Sequence, residues 1–119
     1  MIIVAFALIA LAGGVGAVLR YLISSWMGKL PWGILFVNTA AAFIAAAVLS
    51  ASASDGFMVA LVVTGFCGGL STFSTFSAQT VEYAKNKQVW RGLANLALNF
   101  LLPTLAALAG IYLAATLLK

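Results

Sequence analysis

The stretch GFCGGLSTFSTFS, residues 65–77, decides how this chain is read. Three glycines (Gly65, Gly68, Gly69) interrupt an apolar run, and five hydroxyls (Ser71, Thr72, Ser74, Thr75, Ser77) then surround Phe73 and Phe76. The 119-residue chain around it is 65% hydrophobic and only 7% charged, with a mean hydropathy of +1.17. Six cations and two acids cannot clothe a soluble domain of this length, so its solvent is a bilayer.

Outward from the motif, four apolar runs are each long enough for a helix of ~20 residues, which crosses the hydrocarbon core. The expected fold class is all-α, with four transmembrane helices at about 2–26, 32–51, 57–83 and 89–118 forming one domain over 1–119. Pro31 and Trp32 supply a helix-start and interface signal, while SASDG (52–56) and AKNKQ (84–88) read as turns. Alternating ten-residue segments of the barrel type are absent. The first run has no basic leader and continues past Arg20, which fits a cleavable signal peptide poorly.

Composition also excludes chemistry. Histidine is absent and the only acids are Asp55 and Glu82, so zinc sites and ordinary acid/base catalysis lack their residues and no enzyme is expected. The single Cys67 reads as a small packing residue in an apolar segment. The net charge of +4 comes from basic residues at helix ends, which act as orientation signals and call for no nucleic acid. Lys29, Lys85, Lys87 and Arg91 fall on one side of the membrane and Lys119 on the other. The positive-inside rule then places both termini outside the cell membrane and the 27–31 and 84–88 loops in the cytoplasm.

A break in a buried helix frees backbone groups that protein, water or an ion must satisfy. Gly68 and Gly69 permit such a break, and Ser71 and Thr72 can cap the half-helix beyond it. The end of the first half-helix would aim carbonyls at cations, and the start of the second would aim N–H groups at anions. The plainer reading is a glycine kink with hydroxyls bonded back to their own helix; the density of hydroxyls and the two phenylalanines favour an ion site. Phe73 and Phe76 are three apart and share a helix face, and a ring edge can greet an anion without a formal charge. Two readings stand open for Arg20, snorkelling to the interface or a vestibule cation that attracts anions. Two stand open for Asn38 as well, glue between helices or the wall of a wet cavity. Gly13, Gly14, Gly16 and Ala17, with AAAFIAAA (40–47), read as close-packing surface and suggest an oligomer interface.

Taken together, GGVGAVLRY (13–21), the VN pair Val37–Asn38 and GFCGGLSTFSTF (65–76) resemble the Fluc, or CrcB, fluoride channels, in order and over all four spans. That resemblance implies four-helix protomers assembled as an antiparallel dimer with two pores that export cytoplasmic fluoride down its electrochemical gradient. It implies a structural sodium ion at the dimer interface, held by the backbone carbonyls of Gly68 and Ser71. By the same resemblance Phe73 and Phe76 are the fluoride-facing rings, Asn38 lines the pore, Ser74 and Thr75 form a polar track, and Arg20 stands near the vestibule.

Two features depart from the family pattern. Where the fourth helix often carries pore hydroxyls, this chain has Asn99, Pro103 and Ala107, and Ala41 stands where a glycine often follows the asparagine. The four-to-one cation bias resembles family members built from paralogous subunits of fixed, opposite orientation, so the expected partner is either a second copy or such a paralogue. A proton-coupled four-helix exporter is the rival class, but it needs an intramembrane carboxylate, and Asp55 and Glu82 lie in a turn and near a helix end. A non-conducting assembly subunit would explain the small-residue packing and leave the phenylalanine–hydroxyl pattern without a purpose.

Overall fold

The computed structural model describes residues 1–117. Four segments are long and apolar enough to cross a membrane: Ile2–Ser24, Trp32–Ala51, Gly56–Lys85 and Val89–Leu117. The first, second and fourth are the continuous helices α1 (Ile2–Ser24), α2 (Trp32–Ala51) and α6 (Val89–Leu117). The third span is built from pieces: α3 (Gly56–Val59), a π-helical stretch (Ala60–Cys67), α4 (Gly68–Leu70) and, after two extended residues, α5 (Phe73–Lys85). No strand occurs among the described residues. The expected end of the fourth span at Leu118 and the cation Lys119 lie outside them.

Local chemistry explains most of the boundaries. Asp55 caps α3 by accepting from the Met58 N–H at 3.0 Å, as expected of an N-cap carboxylate. After Ser24 the chain turns so that the Gly33 N–H donates to Trp26 O at 2.9 Å, and α2 starts directly after Pro31. Between α5 and α6 the turn is tight, with the Gln88 N–H on Tyr83 O at 2.8 Å and Lys87 at a positive φ of 58°. The Tyr83 hydroxyl reaches Lys29 O at 3.4 Å. That contact brings the two basic loops to the same end of the molecule.

The protein is a slab of 51 × 34 × 17 Å, long enough for a bilayer of ~40–45 Å including headgroups. Its core is small: Ile34, Val37 and Ala41 of α2 meet Cys67, Leu70 and Phe76 of the third span. α2 is the central helix, with Gly33, Ile34, Leu35, Val37 and Ala41 buried, whereas α1 buries only Gly16.

In lipid, helices associate through close backbone approach rather than hydrophobic drive, and the glycines show where. A side chain at Gly69 would run into the Gly13 carbonyl oxygen, and a Cβ at Gly65 would lie 2.8 Å from Ile9 O. One at Gly16 would meet Leu70 N at 2.8 Å, so α1 lies backbone to backbone on the third span. Gly110 of α6 does the same on α2, 2.5 Å from Phe43 O. Gly68 and Gly69 were expected to permit the break. They are helical instead, none of the described glycines has a positive φ, and the break comes two residues later.

Candidate ion site at the break in the third span

At Ser71 (φ −82°, ψ 159°) and Thr72 (φ −154°, ψ 124°) the chain is extended between α4 and α5. Such a break exposes N–H and C=O groups that a bilayer cannot solvate. Those of Ser71 and Thr72 are each met by a neighbour. The Ser71 N–H and the Ser71 hydroxyl both donate to Cys67 O at 2.9 Å, closing the end of the first half. The Arg20 guanidinium of α1 donates to Ser71 O at 2.9 Å. Asn38 of α2 takes the Thr72 N–H on its Oδ1 at 2.8 Å and returns its own Nδ2 hydrogen to Thr72 O at 3.1 Å. One amide thus does for Thr72 what a helix turn does elsewhere.

The second half starts with a cap. Thr72 Oγ1 accepts from the Thr75 N–H at 3.2 Å and donates its own hydrogen to Thr75 Oγ1 at 3.0 Å. Ser74 Oγ lies 3.3 Å from Thr72 Oγ1, and with the Thr72 hydrogen already given to Thr75 it is Ser74 that donates. The Thr75 hydroxyl hydrogen is left free to donate. The first N–H groups of α5 and its positive dipole end open at this same point.

Phe73 and Phe76 form an edge-on pair, ring centroids 4.9 Å apart at 85°. Phe76 packs edge-on in turn against Phe100 of α6, at 6.1 Å and 90°. The two rings that the sequence placed on one face differ sharply in burial, with Phe76 4% exposed and Phe73 70% exposed. Asn38, Ser71, Thr72, Phe73, Phe76, Asn99 and Pro103 line one open cleft of about 240 Å³. α6 continues through Pro103; having no N–H, proline leaves the Asn99 carbonyl without its helical donor.

The expected site residues therefore fall into four groups. Asn38, Ser71, Phe73 and Phe76 share the cleft, Ser74 and Thr75 join it through the Thr72 hydroxyl, and Arg20 reaches the break from α1. Gly68 is exposed one turn before the cleft. Sequence reasoning passed over Asn95 and Phe100. Asn95 is 2% exposed and donates to Phe76 O at 3.3 Å and Thr80 Oγ1 at 2.9 Å. Its signal was the spacing of Asn95 and Asn99, two amides four apart on one face of an apolar helix.

For a cation, no group of three or more His, Cys, Asp or Glu side chains exists among the described residues. Any such ion would be held by backbone oxygens, which suit hard cations. The carbonyl ends of Gly68–Ser71 fit that description. Gly68 is exposed, a Cβ there would find nothing nearer than Val63 O at 3.7 Å, and Arg20 occupies only one of the two lone pairs on Ser71 O.

Comparison with known proteins adds the family context. Residues 7–111 match the profile of the CrcB-like protein, Camphor Resistance (CrcB), family. A protein of Pyrococcus horikoshii named fluoride-specific ion channel FluC is 37% identical over 116 residues, covering 91% of this chain and 94% of its own. Proteins of the same name are similar in Hahella chejuensis, at 36% over 88% of this chain and 90% of its own, and in Sulfurovum sp., at 40% over 85% and 86%.

Proposed function

The chain belongs to the CrcB family, and from that premise we propose that it is the subunit of a fluoride-selective channel in the cell membrane. The observation that carries the proposal is the cleft at the break, which brings Phe73 and Phe76 together with the Thr72 cap at the start of α5 and has no charged side chain in its lining. Neutral donors hold an anion weakly enough for it to leave again, which conduction requires.

In this reading cytoplasmic fluoride leaves down its electrochemical gradient past Phe73 and Phe76, with Asn38 in the wall and Ser74 and Thr75 as the polar track. Arg20 raises the local potential at the vestibule end while holding Ser71 O. The exposed outer face of α1 and the exposed Phe73 ring are covered by a second subunit of opposite orientation. A structural sodium ion held by the carbonyls of Gly68 and Ser71 would neutralise the carbonyl ends that the two protomers bring together. The cation bias of the 27–31 and 84–88 loops supports both termini outside and favours a paralogue of opposite charge bias as the partner.

The test is fluoride efflux from liposomes holding this chain alone, or this chain with a paralogous subunit. Efflux in either case, with chloride retained, is the expected result. Efflux only with the partner identifies a paired channel, and no fluoride efflux in either preparation would sink the proposal.

A further inference from the structure

The three asparagines beside the break form a ladder, and its polarity can be read without ambiguity. Asn38 must present Oδ1 to the Thr72 N–H and Nδ2 to the Thr72 carbonyl, because those backbone groups cannot exchange roles. Its second Nδ2 hydrogen goes to Asn99 Oδ1 at 3.0 Å. Asn99 then presents Nδ2 to Asn95 O at 3.0 Å and Asn95 Oδ1 at 3.1 Å. Asn95 presents Nδ2 to Phe76 O and to Thr80 Oγ1, and the Thr80 hydroxyl donates to Phe76 O at 2.8 Å. Every amide hydrogen of the triad is committed inside the protein. The ladder runs from Thr72 to Phe76, the two ends of the segment that carries both rings.

We infer that this ladder is a latch for the ring pair. Its far end, Asn95, is a positioning residue for fluoride passage that touches no ion. The helix start at Thr72 is held from α2 and the Phe76 carbonyl from α6, so the Phe73–Phe76 register is fixed against both neighbours. Freed at Phe76, α5 can rotate about its own axis and carry the ring edges away from the path. Asn95 is 2% exposed and Asn99 7% exposed, so neither amide is available to solvent. A net buried hydrogen bond of ~1 kcal/mol corresponds to about a fivefold change in the population of the aligned state.

This inference rests on the channel reading, and two readouts keep their failures apart. In the parent protein, the side-chain amide hydrogens of Asn38 and Asn99, followed by NMR in isotope-labelled protein, exchange slowly with deuterium. In Asn95→Leu those of Asn99 and Asn38 exchange faster, although Asn95 does not touch Asn38, and the unitary fluoride current falls about fivefold or more at an unchanged number of assembled channels. A loss of fold would lower the number of channels and leave the unitary current of the survivors intact. Should Asn95→Leu fail to assemble, Thr80→Val decides: it keeps shape, removes one donor to Phe76 O and one acceptor for Asn95, and is expected to give a smaller drop in unitary current. Unchanged unitary current in whichever variant assembles, or unchanged exchange at Asn38, overturns the inference. Absence of fluoride current in the parent overturns the channel reading and, with it, the role of the latch in passage.

Discussion

Replacing Asn38 with leucine keeps the branching at Cγ and removes three hydrogen bonds at once, to Thr72 N, Thr72 O and Asn99 Oδ1. Hydrogen bonds between transmembrane helices average ~0.6 kcal/mol and reach ~1.7. Three together give a loss of about 2 kcal/mol at the low end and about 5 kcal/mol at the high end. The low end already lies above the scatter of ordinary substitutions. The measurement is reversible unfolding in bilayers by steric trapping, with Asn38→Asp beside it. The aspartate, as a neutral acid, retains an acceptor for the Thr72 N–H and one of the two donors, so it falls between parent and leucine. A loss below ~0.5 kcal/mol for Asn38→Leu, the range of an inert surface change, would refute the account of how the break is held.

Phe73→Ile is expected to abolish fluoride flux while leaving the protomer fold intact, because its ring is 70% exposed in the protomer; liposome efflux with quantification of folded protein checks this. Phe76→Ile is expected to abolish flux as well and to cost about 1–3 kcal/mol of stability through the lost packing of a 4% exposed ring. Gly69→Ala should destabilise by about 1–3 kcal/mol or more, since its methyl meets the Gly13 carbonyl, whereas Gly14→Ala meets nothing within 4 Å and should stay within about 0.5 kcal/mol in the same unfolding assay. Neutralising Lys85 and Lys87 should loosen the orientation seen in a tag-accessibility assay, because both lie in the basic loop end shared with Lys29.

The four spans were legible because hydropathy alone marks a segment that must lie in lipid, and the existence of a break was legible because hydroxyls crowd one place in the third span. Its position was not. Gly68 and Gly69 looked like the hinge, but a glycine serves two ends, freedom of φ and lack of a Cβ, and a sequence does not say which. At Gly69 it is the missing Cβ that matters, since α1 occupies the space, while Gly68 is simply helical. The π-helical stretch Ala60–Cys67 left no mark in the apolar pattern that distinguishes it from an α-helix. Arg20 and Asn38 were each left with two readings; their hydrogen bonds to Ser71 and Thr72 depend on partners 51 and 34 residues away, a distance no local pattern encodes. Asn95 was overlooked because one asparagine in an apolar helix looks incidental until its i+4 neighbour is read with it.

The bond between Arg20 and Ser71 O spans 51 residues of chain, and that separation has a consequence for biogenesis. At a synthesis rate of ~5–20 residues per second, α1 exists for roughly 3–10 s before the carbonyl that receives its guanidinium has been made. During that interval the arginine adds about 2.5 kcal/mol or more against insertion if it sits deep in the bilayer. Its place four residues before the end of α1 at Ser24 lets it reach the headgroups while it waits. The first helix therefore enters the membrane provisionally, and the arrival of the third span fixes its depth.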